Sequence, residues 1–153
     1  MAAKANKKKK AASTANRKSG RPIAAFMAAC DMSARDPNSG KITLYGLFDT
    51  IQTESFPSRF GPFTLYAKIS GGTGQSTGTF VLLDPKGREV PQDGLPQFGI
   101  NFSLTDGRFE LVGVLPPLQF RTAGIHRLYL KIDGHLVDHP FEIAATKIRR
   151  PGN

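Results

Sequence analysis

The chain has 153 residues, 39% of them hydrophobic, with 11 Phe, no Trp and one cysteine, Cys30. A single cysteine excludes an internal disulfide framework and any multi-cysteine metal site, and no apolar run approaches the roughly 18 residues that a membrane-crossing helix needs. The formal charge of +9 is unevenly placed, with eight basic and no acidic residues among the first 22 and 13 basic against 12 acidic in the remainder.

Residues 1–21 are mostly Ala, Lys, Ser, Thr and Asn, without a large apolar side chain after Met1. Such a segment buries too little surface to offset its ordering entropy, so it reads as a disordered Lys-rich arm. Its candidate polyanion-binding residues are Lys4, Lys7, Lys8, Lys9, Lys10, Arg17, Lys18 and Arg21. It carries no aromatic residue for base stacking and no apolar face for a membrane surface. Residues 22–146 read as one domain, large enough for an apolar core without staples. Residues 147–153 form a short basic tail with Lys147, Arg149 and Arg150, which leaves 10 basic and 12 acidic residues, net −2, between Ile23 and Thr146.

Ile23–Asp31 reads as the first strand, with Cys30 a small hydrophobe within it. Met27-Ala28-Ala29-Cys30 also has the outline of a lipoprotein cleavage site. Its apolar stretch is only seven residues, mostly alanine, so export through Cys30 is not expected and a cytoplasmic protein is. Ser33–Gly40 is full of turn formers and reads as a connection. Lys41–Phe48 is rich in β-favouring residues, with Gly46 a bulge or a point of close approach. Asp49–Phe60 reads as a connection with a short extended piece at most.

Phe63–Ile69 alternates. Phe63, Leu65, Ala67 and Ile69 face a core, and Thr64, Tyr66 and Lys68 face water. Ser70–Gly78 is a Gly-rich loop, Thr79–Asp84 a strand, and Asp84-Pro85-Lys86-Gly87 a turn. Arg88–Gln97 holds Pro91, Gly94 and Pro96 and cannot be a regular central strand. Phe98–Leu104 alternates again, with Phe98, Ile100, Phe102 and Leu104 inward. Thr105-Asp106-Gly107 signals a turn, and Arg108–Leu115 is a strand stopped by Pro116 and Pro117. His126–Ile132 places Leu128, Leu130 and Ile132 inward, and Arg127, Tyr129 and Lys131 outward. Asp133-Gly134 is a preferred two-residue hairpin turn, and His135–Ile143 returns as its partner strand. The sum is all-β: a single β-sandwich of seven to eight mostly antiparallel strands.

Three segments carry a family resemblance: Ala29–Met32, Gly40–Asp49, and Ala123–Gly134 followed by Pro140-Phe141-Glu142-Ile143, with the Asp84–Gly87 turn between them. Together they resemble a widespread bacterial family of small, immunoglobulin-like β-sandwich proteins of unknown function, over residues 23–143. The resemblance implies that fold and a bacterial source. It brings no catalytic residue, and the Lys-rich arm lies outside its pattern.

Reactive constellations are few. His126, His135, Asp138 and His139 fall near the closing hairpin, but Pro140 follows at once and no further ligands complete a metal site. No Gly-x-Ser-x-Gly elbow follows a strand, and the context of Cys30 points to burial rather than to pairing with a histidine. Asp31, Asp36 and Asp49 read as turn and cap residues. Gly71–Gly78 lacks the Gly-Lys-Ser/Thr ending of a phosphate loop. No catalytic, cofactor-binding or metal residues are expected, and no cofactor. The composition favours a non-enzymatic binding or structural module with a protein partner. The alternative is a nucleic-acid-associated accessory protein whose arm makes nonspecific phosphate contacts.

Overall fold

The structure is a computed structural model that describes residues 21–152. Among these residues there is no helix. One sheet runs in the order β2 (Ile42–Phe48), β1 (Ile23–Arg35), β5 (Phe63–Ser70), β8 (Phe109–Leu115), all antiparallel. The second runs β3 (Thr50–Thr53), β12 (Phe141–Lys147), β10 (Gly124–Ile132), β6 (Gln75–Leu83), β7 (Phe98–Asn101), with β11 (His135–Leu136) also on β10. Its β3–β12 pair is parallel and the others are antiparallel. β4 (Ser58–Phe60) and β9 (Leu118–Phe120) make a separate short pair.

Both large sheets feed one apolar core. Leu65, Ile69 and Leu115 come from the first sheet, Leu82, Leu128, Leu130 and Ile143 from the second, and Leu118 and Phe120 from the short pair. Period-two patterning puts them there, since alternate residues of each strand share a face. Leu128, Leu130 and Ile132 are buried as expected, while Arg127, Tyr129 and Lys131 are half-buried. Asp133 and Gly134 both hold positive φ, 47° and 83°, as a tight hairpin turn requires. The Asp133 carboxylate also accepts the Thr77 N–H at 2.9 Å, tying the turn to β6.

Several expectations need correction. β1 does not end at Asp31 but continues to Arg35, paired with Ile42–Tyr45, so the connection shrinks to residues 36–41. The Asp36 carboxylate accepts the N–H groups of Asn38 and Ser39, which makes this short turn sufficient. Phe98–Leu104 stops as a strand at Asn101, and Leu104 is 98% exposed rather than inward. The chain there closes a turn in which Gly107 N–H donates to Ser103 O at 2.9 Å, and Leu104 rides its tip. Thr64 and Tyr66 are buried, not wetted. The strand after Asp133-Gly134 is broken: β11 pairs only His135 and Leu136. A step of three residues back along β10, from Lys131 to Leu128, is matched by a step of five on the return, from Leu136 to Phe141. The detour carries the Asp138 carbonyl to the N–H of Ala24 in β1, 3.2 Å away. The Gly-rich loop is also shorter than expected, because β6 begins at Gln75.

Candidate functional site

The residues picked out from sequence do not converge. Lys4, Lys7, Lys8, Lys9, Lys10, Arg17 and Lys18 lie outside the described residues, as does the expectation of a disordered arm. Arg21 is exposed and borders a cleft of about 380 Å³ with Gly71, Gly72, Thr73, Asp133 and His135. His126 is fully buried and separate from His135, Asp138 and His139, which are all exposed. Its Nδ1 lies 3.1 Å from Gly124 O, its ring meets Phe120 edge-on at 5.0 Å, and its Nε2 has no partner. Burial holds its pKa below the ordinary 6.5. Among the described residues no group of three or more His, Cys, Asp or Glu is placed to hold a metal.

Cys30 is buried, and its thiol donates to Met32 O at 3.4 Å. Burial, then the nearby Asp31, push its pKa up, the reverse of what a reactive thiolate needs. The aspartates do local work. Backbone N–H groups of Ser39 and Asn38 hold the Asp36 carboxyl below its ordinary range. The Asp84 carboxylate accepts the N–H groups of Lys86 and Arg88, both at 2.9 Å, and closes the Asp84–Gly87 turn. Asp31 fills the space where a side chain at Gly46 would go. Gly46, with φ of 70°, is therefore a point of close approach and not a bulge, since the β1–β2 register runs through it unchanged.

A different feature emerges from the β1–β2 hairpin. Cys30 pairs with Thr64 and Thr64 with Val114, whereas Phe26 pairs with Lys68 and Lys68 with Glu110. Arg35 lies nine residues beyond Phe26, so a straight hairpin would carry it roughly 30 Å from the level of Glu110. Yet Arg35 Nη2 bonds Glu110 Oε1 at 2.6 Å. The tip of the hairpin must therefore curl back over the outer face of the first sheet. This explains the burial of Tyr66 on that face. The Tyr66 hydroxyl donates to Glu110 Oε2 at 2.8 Å, and the Phe26 ring packs on its edge at 5.9 Å. Burial, then the Glu110 hydrogen bond, raise the Tyr66 pKa to about 12, while the Arg35 hydrogen bond leads in holding Glu110 low.

Cross-strand pairing defines the two faces of this hairpin. Ser33 with Leu44 and Arg35 with Ile42 form one, and Ser33, Leu44 and Ile42 are half-buried. Met32 with Tyr45, Ala34 with Thr43, and Leu47 opposite Cys30 form the other. There Met32 is 55% exposed, Tyr45 49% and Leu47 63%, with no charged side chain among the five exposed residues. An uncharged, largely apolar face of this kind on a free edge is uncommon, because edge strands are normally blunted by charge or proline. Sequence reasoning missed it by placing Ser33–Gly40 in a loop. The available signal was the charge-free run Ile42–Phe48 beside the equally uncharged Met32–Ala34.

A model of the family of unknown function DUF6941 matches residues 25–144 of the chain. No curated protein matches it.

Proposed function

The chain belongs to this family of unknown function, and from that premise we propose that it is a non-enzymatic β-sandwich interaction module that works by docking a protein partner. The single observation that carries the reading is the exposed, uncharged hairpin face of Met32, Ala34, Thr43, Tyr45 and Leu47. Removing such a face from water supplies the main driving force of protein association. We read the two large sheets as an immunoglobulin-like sandwich. In support, β5 and β8 share one sheet, β6, β10 and β12 share the other, and the chain crosses between them repeatedly. On this reading the hairpin is an addition to the edge of the first sheet. The bacterial source implied by the resemblance belongs to the same proposal.

The test is site-specific photocrosslinking in the native cell. A photoreactive residue at Leu47 is expected to give a discrete protein adduct, and one at Asp93, whose side chain is 92% exposed on a charged loop, is not. No adduct at Leu47, or equal adducts at both positions, would contradict the reading.

A further inference from the structure

We propose that the free edge of β2 pairs with the β2 of a second copy of this chain, giving a two-fold symmetric dimer joined by an antiparallel strand pair. The inference rests on the hairpin as an interaction surface and names its occupant. Among the described residues β2 pairs with β1 alone, so its other side presents unpaired backbone donors and acceptors. The segment Ile42-Thr43-Leu44-Tyr45-Gly46-Leu47-Phe48 contains no charge and no proline, the two common guards against edge pairing.

The strand is complementary to itself. A two-fold axis through Tyr45 uses all seven residues and sets Tyr45 of one copy opposite Tyr45 of the other. Thr43 then falls opposite Leu47, Leu44 opposite Gly46, and Ile42 opposite Phe48. Just beyond the strand, the same axis sets Lys41 opposite Asp49 at both ends. Both residues are exposed, and the pairing gives two opposite-charge contacts with no like-charge pair. The other edge of the sheet lacks this match. About the centre of β8, Val112, Arg108 would fall opposite Pro116, which has no N–H to contribute. A seven-residue strand pair with side chains on both faces covers on the order of 600 Å² per partner, near the lower limit for a stable interface. The dimer is therefore expected in the micromolar range rather than as a permanent complex.

The experiment is sedimentation of the full chain up to about 0.1 mM. The wild type should pass from monomer to dimer. Lys41→Asp and Asp49→Lys should each weaken association about tenfold or more, since each converts two attractions into two repulsions. The double variant Lys41→Asp/Asp49→Lys should recover it, and that recovery cannot come from misfolding. Leu47→Lys, with its melting temperature checked, should abolish it. A wild type monomeric throughout, single variants that dimerise as the wild type does, or a double variant that fails to recover would each overturn the proposal. A monomer that still gives a Leu47 adduct with another polypeptide would overturn the dimer and leave the interaction module standing. No adduct of either kind would end both.

Discussion

His126 is the residue whose environment makes the sharpest demand. It is fully buried in the second sheet, with Nε2 unpartnered and an aromatic edge against its ring. Protonation there would place a charge in the core that Gly124 O and the Asp84 carboxylate only partly offset, so burial prevails and lowers its pKa. The unfolded chain then binds more protons than the folded one as pH falls below 6.5. The stabilisation is present in full above that value and is lost as pH falls through the lower, folded-state pKa. Melting temperature should therefore fall from pH 7 toward pH 5 in the wild type, and His126→Phe should flatten this part of the profile. A His126→Phe profile as steep as that of the wild type would show that other groups dominate. Asp36, Asp84, Asp133 and Glu110 all have lowered pKa values, so their shared loss of stability belongs at more acid pH.

At the scale of elements, the central and edge strands differ in what holds them. β10 lies between β12 and β6, and its inward side chains Leu128, Leu130 and Ile132 are core members. Leu130→Ala should cost about 2–5 kcal/mol and Lys131→Ala less than about 0.5. Equal costs in a denaturant titration would contradict the register. That register was legible in sequence, because strict alternation beside Asp133-Gly134 admits one facing only. The β1–β2 hairpin was half legible. Ile42–Phe48 reads as a strand by composition, but Ser33, Ala34 and Arg35 become strand only through their pairing with Leu44, Thr43 and Ile42. Tyr66 shows the same limit. Its alternation assigns it correctly to the outer face, and only the returning hairpin, held by Arg35 on Glu110, decides that this face is covered. β9 is three residues beside Pro116 and Pro117, too short to carry a period, and it becomes a strand by pairing with β4. Leu104 fails for a related reason: the turn to Gly107, closed on Ser103, overrides an alternation that would have buried it.

Over the whole sequence, positive charge is concentrated toward one end. The eight basic residues from Lys4 to Arg21 stand apart from a body of net −2 between Ile23 and Thr146. Any nucleic-acid binding should therefore reside in the arm and ignore sequence. For a flexible segment touching about five phosphates, a log–log salt slope near −4 is expected on a labelled duplex. Removing residues 1–20 should abolish it, and retained binding by the shortened chain would move the contact to the body. The protein docking proposed for the hairpin rests instead on an exposed face without charge and on an edge strand that matches itself about Tyr45. Hydrogen exchange of the full chain at low and high concentration tests this assignment most directly, because a strand pair protects the amides it engages. Exchange is expected to slow with concentration across Ile42–Phe48, while Phe109–Leu115 at the opposite edge of the same sheet stays unchanged. Concentration-independent exchange at Ile42–Phe48, or protection that appears at Phe109–Leu115 instead, would contradict it.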